Sequence, residues 1–357
     1  MDGSTIYKAE TATLTPAVAR LSPDDEADWE AFLAAHPEAT PFHTLAWRDA
    51  VRAGLGYDTP YLIAREGGDV VGILPLVHVK TSLFGNSLIS TGFSVGGGVL
   101  ALGPVAAAGL ARAAVALAEE RGVDCLELRG ERAEFDGWPT KAETYAGYRA
   151  PLAATSEDRL KAIPRKKRAD VRKGIKAGFA VDTDAPVAVF HDLYARNLHA
   201  LGTPILPLKW YAALKTAFGD ACEISTVGTE EHGPVVALMT FWFRGCVHPY
   251  YVGARAEARA LHAFDHVYWD LMERAGERGM DSFDFGRSKV GTGSADYKRH
   301  WGFEATPLAY QYHLVGADAM PDVNPNNPKY ARFVATWKKL PFGVTKRVGP
   351  FLARQLG

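Results

Sequence analysis

The chain has 357 residues, 47% of them hydrophobic and 23% charged, with a net charge of −1. That length exceeds the usual single domain and points to two, and near-neutrality excludes the global positive field of a DNA binder, so any handling of anions is local. Cys125, Cys222 and Cys246 are too few and too widely spaced for a disulfide framework or a zinc knuckle; Met1 to Glu10 reads as no secretory signal and no apolar run spans a membrane, so a cytoplasmic home is expected.

Residues 1 to 14 read as a loose leader. Ser22 then caps a helix with Pro23 at its first position and Asp24, Asp25 and Glu26 at its positive end, running to about His36. A second helix is expected from about Thr44 to Gly54, carrying Leu45, Trp47 and Val51. Two strands follow, near Tyr61 to Arg65 and Val70 to Val79, joined by the hairpin turn Glu66-Gly-Gly-Asp69. Leu83 to Leu102 reads as apolar strand pieces split by Ser90-Thr-Gly92 and Gly96-Gly-Gly98, glycines that serve either a ligand or a tight turn. A helix, Val105 to Arg121, and a strand, Asp124 to Arg129, complete a first layer, and residues 141 to 153 read as its last strand and exit.

A shift of composition marks a boundary. Lys161, Arg165, Lys166, Lys167, Arg168, Arg172, Lys173 and Lys176 are opposed only by Asp170, with Ile163, Val171 and Ile175 as a thin apolar stripe. Such a helix is either a solvated face or an anion contact. Beyond it are expected a strand (Phe179 to Thr183), a helix containing Phe190 and Leu193, a helix from Lys209 to Phe218, and three strands near Cys222 to Val227, Val235 to Phe243 and Cys246 to Val252, the last two joined by Arg244-Gly245. A helix from about Leu261 to Gly279 follows. Helix, helix and antiparallel strands thus recur after the boundary, which suggests two similar domains.

The stretch Asp281 to Phe303 concentrates the chemistry. Its first residues alternate polar and aromatic, as in a strand with one buried face, and deliver Gly286, Arg287, Ser288 and Lys289 at the strand's end, where α/β sheets place ligands. Gly286, Gly291 and Gly293 permit close backbone approach, and Arg287, Lys289, Lys298 and Arg299 gather positive charge. Ser294 is expected to cap a short helix ending at Gly302. After His313 comes a linker with Pro321, Pro325 and Pro328, then a tail without acids beyond Asp322, whose seven basic residues are interleaved with aromatics. The tail either lies on an anionic membrane or wraps back over the protein; Pro341, Gly343, Gly349 and Pro350 break any long amphipathic helix, which favours wrapping.

Tyr297-Lys298-Arg299-His300-Trp301-Gly302 resembles the closing motif of the FemAB-related transferases, and Ile163 to Gly178 resembles the basic helix that opens their second half. Phe283-Asp-Phe-Gly-Arg-Ser-Lys-Val-Gly-Thr-Gly293 is similar to the signature of the exosortase and PEP-CTERM associated branch, with Phe42-His43-x-x-x-Trp47 and Tyr250-Tyr251 extending the likeness. The resemblance implies an α/β (α+β) fold of two tandem GNAT-like acyltransferase domains with mixed central sheets flanked by helices. The divisions are an N-terminal domain at 1–155, a C-terminal domain with the active cleft at 156–316, and a basic aromatic tail at 317–357. It also implies an N-acyl or aminoacyl transferase acting on an amino group of a cell-envelope or exopolysaccharide precursor. No cofactor is expected to stay bound; the acyl donor, aminoacyl-tRNA or acyl-CoA, is a co-substrate. Expected partners are that anionic donor and an envelope glycan or a nucleotide-linked or lipid-linked precursor, with a peripheral inner-membrane contact in view and no stable DNA binding.

By similarity Lys298 sits where FemAB relatives carry the lysine that supports acyl transfer; an ammonium there stabilises an oxyanion or holds a phosphate. Deprotonating the amine needs a base, for which Asp284 and Asp296 are candidates, each open to a structural reading. Arg287, Ser288, Lys289, Tyr250, Tyr251, Arg255 and Trp47 are expected to bind substrate. Of Tyr250 and Tyr251, strand alternation sends the two to opposite faces. Gly253-Ala-Arg-Ala-Glu-Ala-Arg-Ala260 replaces the Gly-rich pyrophosphate loop of a coenzyme A binder, which weakens the case for that donor, although Arg255 and Arg259 remain bidentate phosphate donors or plain surface arginines. No histidine spacing suggests a metal site, and His199, His248 and His300 read as ordinary histidines rather than catalytic ones. Two rival functions are an acyl-CoA-dependent N-acetyltransferase on an amino sugar and a non-catalytic envelope-assembly adaptor.

Overall fold

The computed structural model describes residues 16–81, 85–130, 135, 137–320 and 328–355. The expected leader, Leu83 at the start of the apolar strand segment, and Pro321 and Pro325 of the linker lie outside the described residues.

The first half opens with β1 (Ala17–Arg20). Ser22 donates its hydroxyl and its backbone N–H to the Asp25 carboxylate, at 2.6 and 3.1 Å, and this box turns the chain into α1 (Glu26–Ala35). α2 (Leu45–Leu55) is capped by the Thr44 hydroxyl, which accepts from the Trp47 N–H, and stops where Gly56 takes a φ of 76°. β2 (Leu62–Glu66) and β3 (Asp69–Leu74) form the expected hairpin. Then come β4 (Val77–Thr81), β5 (Gly85–Ser90), β6 (Leu100–Ala101), α3 (Pro104–Glu120), β7 (Cys125–Arg129), β8 (Thr140–Lys141) and β9 (Tyr145–Pro151).

The second half begins with α4 (Ser156–Ala162) and α5 (Arg165–Lys176). It continues through β10 (Ala180–Asp182), α6 (Val187–Leu201), α7 (Leu208–Phe218), β11 (Cys222–Thr229), β12 (Gly233–Phe243) and β13 (Cys246–Ala254). α8 (Ala263–Glu277), β14 (Ser282–Lys289), α9 (Gly293–His300), β15 (Thr306–Pro307) and β16 (Tyr310–Leu314) follow. The cap of α9 is Thr292, which accepts from the Ala295 N–H; Ser294, expected in that role, turns its hydroxyl to Ser288 instead. α10 (Pro328–Lys339) and α11 (Phe342–Arg354) close the chain.

Three sheets result, with strand orders β1-β2-β3-β6, β4-β5-β7-β16-β8 and β10-β11-β12-β13-β14-β9-β15. The halves exchange strands. β9, read from sequence as the last strand of the first half, pairs antiparallel with β14 of the second, and β16 returns from the second half to pair antiparallel with β7 of the first. Each half contains one parallel pair joined by a helix, β5-α3-β7 and β13-α8-β14, and each pair is flanked by the strand the other half lends it.

The seven-stranded sheet has two buried faces. On the back, Val247, Phe283 and Phe285 pack with Val267, Leu271 and Trp301 of the α8 and α9 side. On the front, Phe241 and Met239 pack with Trp47, Phe190 and Trp210 from α2, α6 and α7. First-half and second-half helices therefore share one core, which burial of aromatic surface holds together. The basic α5 departs from expectation: Ile175 of the anticipated stripe is exposed, and Gly174 takes its place because a side chain there would meet the backbone of His262 and His266 at about 3 Å.

The tail wraps back, the favoured reading. It is two helices split at Pro341, with Pro350 inside the second. Trp337 is buried, the Thr345 hydroxyl meets His199 at 3.1 Å, Lys346 pairs with Asp192 at 2.5 Å, and Arg354 donates to the Leu55 carbonyl at 2.8 Å.

Candidate active site

β13 and β14 are parallel neighbours, yet they pair only at Cys246 with Ser282 and Val247 with Phe283 before they separate. Two bulges accompany the splay. In β14, Phe285 and Gly286 together oppose the single residue Tyr148, because the register runs Asp284 to Arg149 and then Arg287 to Gly147. Gly286 makes this possible with a φ of 67°, a left-handed conformation that other residues adopt at a cost. Without the extra residue, Asp284 and Arg287 would face opposite sides; with it both face front, as Arg149 and Gly147 do.

In β13 the register slips between Met239 and Thr240, so that Tyr250 is the bulged residue. Tyr250 and Tyr251 thereby both turn to the front face, their rings 4.6 Å apart and nearly perpendicular. The expected alternation of these two tyrosines fails for that reason.

On the front face Asp284 is held from two sides. Its Oδ1 accepts from the Gly286 N–H at 2.7 Å, and its Oδ2 lies 3.6 Å from Nδ1 of His248. Burial pushes the His248 imidazole below its usual value, against the pull of Asp284, and so favours the neutral ring. Arg287 is half-buried and pairs with no carboxylate among the described residues. Its guanidinium instead donates to the Tyr310 hydroxyl at 2.5 Å and sits 4.4 Å over the Tyr145 ring. A desolvated cation served only by neutral oxygens and π faces has charge to spare for an anion.

The roof of the site comes from the first half. Tyr250 donates its hydroxyl to the Phe93 carbonyl at 3.4 Å, Tyr310 to the Val95 carbonyl at 3.5 Å, and Arg129 to the Ser94 carbonyl at 3.3 Å while pairing with Glu127 at 2.7 Å. The loop 92–98 is fixed at both ends, since Trp47 Nε1 donates to the Gly92 carbonyl at 3.3 Å and His43 Nε2 lies 3.1 Å from the Gly98 carbonyl. Two of its glycines serve chain packing: a side chain at Gly97 would reach Thr91 at 2.9 Å and one at Gly92 would reach Val77 at 3.1 Å.

Lys298 occupies a different place from the one its charge suggested. It is buried, approaches β14 from the α9 side, and donates to the carbonyls of Gly286 and Arg287 at 3.0 and 2.9 Å, above the Tyr148 ring. Burial lowers its pKa to about 7, with Arg287 adding to the effect and Asp284 opposing it. A neutral amine has two N–H donors, enough for both carbonyls. Lys298 thus clamps the bulge from behind. Ser288 is also behind the strand, its hydroxyl 2.9 Å from that of Ser294.

Of the remaining candidates, Lys289 is half-exposed at the end of β14. Trp47 has no exposed surface and lies in the shared core, so it cannot touch a ligand; it positions the roof loop. Tyr251 is half-buried and accepts from Trp210 Nε1 at 3.3 Å. Arg255 is an exposed residue past the other end of β13, where it donates to the His232 carbonyl at 3.1 Å, away from Asp284. Asp296 is half-exposed and paired with Arg299. His248, Tyr145, Tyr310 and Arg129 share this face; the last three were not singled out from sequence, and His248 reads there as an ordinary histidine.

The start of α8 is closed. Asp265 in its first turn is buried and ion-paired with Lys167 of α5, Tyr297 donates to the same carboxylate at 3.0 Å, and Gly174 brings the α5 backbone against His262 and His266. The helix's positive end is occupied by the chain's own acid. A hollow of about 580 Å³ lies elsewhere, between α1 and the β3–β6 edge, where Arg65 is already paired with Asp25 and Asp28; none of the candidate residues lines it. Among the described residues no group of His, Cys, Asp and Glu is placed to hold a metal ion.

Residues 164–299 match the family described as acetyltransferase (GNAT) domain. No curated protein matches the chain in sequence. Among solved structures, FemX is 13% identical with a TM-score of 0.66, covering 84% of this chain and 98% of its own. L-PGS from Bacillus licheniformis is 12% identical, TM-score 0.52, over 90% of this chain and 98% of its own. A tandem GNAT protein from the clavulanic acid biosynthesis pathway is 14% identical, TM-score 0.54, over 85% and 100%. The fold is that of two tandem GNAT-like domains with mixed sheets flanked by helices, and its second half carries the match to an acetyltransferase (GNAT) domain.

Proposed function

We propose that the protein transfers an acyl or aminoacyl group to an amino group of a cell-envelope or exopolysaccharide precursor, at the splay between β13 and β14. The observation that carries this reading is the bulge at Gly286, which puts Asp284, backed by His248, and the unpaired Arg287 on one face under a roof lent by the first half. Arg287 holds an anionic group of donor or acceptor. The acceptor nitrogen attacks the acyl carbon, a C–N bond forms, and the bond from carbon to the donor's oxygen or sulfur breaks. The proton leaves nitrogen for Asp284, with His248 beside it, and the departing group takes up a proton. Lys298 acts by holding the Gly286 and Arg287 carbonyls, and so the spacing of the two front-face residues.

The resemblance of the closing motif to FemAB transferases supports an aminoacyl donor and an envelope acceptor, and the likeness in fold to FemX is consistent with it. The closed start of α8 adds support, because a coenzyme A pyrophosphate needs free N–H groups at such a helix end, and here α5 packs its Gly174 backbone against His262 and His266 while Asp265 already supplies a negative charge in the first turn. The match to an acetyltransferase domain supports the second reading, acyl-CoA as donor. Offering labelled aminoacyl-tRNA and labelled acetyl-CoA to wild type and Arg287→Ala tests both. Transfer from aminoacyl-tRNA that Arg287→Ala loses supports the first donor, transfer from acetyl-CoA alone supports the second, and equal transfer by both proteins removes the site from the reaction.

A further inference from the structure

The wrapped tail spends only one side of each helix on the protein. α11 buries Thr345, Gly349 and Ala353, spaced four apart. Its opposite side carries Val344, Arg347, Val348 and Phe351, at the helical spacing i, i+3, i+4, i+7, and leaves Val344 and Val348 each 44% and Phe351 65% exposed. On α10, Phe333 and Leu340 flank the buried Trp337 on one side of the helix, Phe333 stacking on its ring at 5.4 Å, and at the margin of that packed side they stay 38% and 36% exposed. Five large apolar side chains on two consecutive helices exceed the scattered exposure normal for a surface.

The charge around them has one sign. No acid follows Asp322 in the sequence. Lys346 is consumed by Asp192 and Arg354 by the Leu55 carbonyl, but Arg332, Lys338, Lys339 and Arg347 are exposed and take part in no ion pair among the described residues. An apolar stripe edged by unpaired cations is the makeup of a helix that lies in the plane of an anionic lipid surface, apolar side among the acyl chains and basic residues at the headgroups.

We infer that the exposed side of α10 and α11 docks the protein on a membrane of anionic phospholipid. Charge complementarity selects this occupant. The docking face also stands close to the seam: the Tyr57 hydroxyl donates to the Arg354 carbonyl at 2.5 Å, Tyr57 stacks on Phe93 at 5.5 Å, and Phe93 receives the Tyr250 hydroxyl. The inference does not depend on the proposed reaction, since its readout is binding alone.

The test is flotation of the full-length protein with vesicles of phosphatidylcholine, with and without phosphatidylglycerol. Two variants keep the inward faces intact, Val344→Ser/Val348→Ser/Phe351→Ser and Arg332→Glu/Lys339→Glu/Arg347→Glu, and thermal melting checks that each folds. Wild type is expected to float only with the anionic vesicles. Each basic residue removed should weaken binding about fivefold, from about 1 kcal/mol per residue near the surface, and the apolar variant should lose flotation. Absence of wild-type flotation, equal flotation on neutral vesicles, or flotation unchanged in both variants overturns the inference. So does a dimer that the apolar variant converts to monomer without change in flotation, which assigns the face to a second copy of the chain.

Discussion

The two parallel pairs of this molecule share a plan and differ in how far they are zipped. β5 and β7 pair over four successive positions, Ser87 with Cys125 through Ser90 with Leu128, whereas β13 and β14 pair over two and then part. In the first half the strands' polar groups are spent on each other, as where the Ser87 hydroxyl lies 3.4 Å from the Cys125 thiol. In the second, Gly286 and Tyr250 bulge, and Asp284 and Arg287 emerge on the face the splay exposes. The same βαβ unit serves as scaffold where it is closed and as candidate site where it is open.

That contrast breaks most readily at Asp284. Asp284→Asn should lower the rate of acyl transfer by about 100-fold or more, the usual weight of a positioned base, with kcat rather than KM carrying the loss. A change confined to KM would make Asp284 a binding residue. Next, Arg287→Ala should raise KM for the anionic substrate about 10- to 100-fold, since a charge-assisted anchor contributes about 1.5–3 kcal/mol. An unchanged KM contradicts the anchor.

Gly286→Ala sharpens the comparison by loading strain on the bulge alone. A side chain there meets nothing within 4 Å, so the cost is the left-handed backbone, about 1 kcal/mol by urea denaturation. The accompanying shift of Arg287 should cut activity about tenfold; full activity would separate the bulge from the site. The clamp behind it predicts a pH signature. Lys298 has its pKa lowered to about 7 and unfolded lysine titrates at about 10.4, so between these values the unfolded chain binds more protons and stability rises with pH. Lys298→Met removes that contribution. The stability gap between wild type and variant should move in favour of wild type from pH 7 to 9, and a gap that stays flat would mean an ordinary, solvated lysine. The smallest effect belongs to the closed pair: Ser87→Ala should leave transfer within about twofold, because nothing is asked of β5 beyond pairing.

Element order and most boundaries were legible because each rests on local chemistry. The Thr44 cap, the Gly67-Gly68 hairpin turn and the Arg244-Gly245 turn, with φ of 46° and 73°, are specified by neighbouring residues. The basic loop of the site was legible for the same reason, since Asp284, Gly286 and Arg287 lie within four residues. What escaped was set by pairing over long sequence distances. Nothing in Tyr145 to Pro151 says that it will lie beside β14 rather than β7, so the strand exchange, and with it Tyr145, Tyr310 and Arg129, could not be read. The sides of the strands were hidden too: a bulge adds one residue and reverses every later side chain of the strand, which put Tyr250 with Tyr251, brought Arg287 to the front and left Ser288 behind. Trp47 looked like a ligand aromatic because burial in a core shared between halves has no local signal.

The most direct measurement is transfer of a labelled acyl group to an amine-bearing envelope precursor by wild type and by Asp284→Asn/Arg287→Ala, at matched folded fraction. The account predicts labelled product from wild type and a loss of at least about 1,000-fold in the double variant, the combined weight of a base and an anion anchor. Product formation by the double variant at the wild-type rate would contradict it.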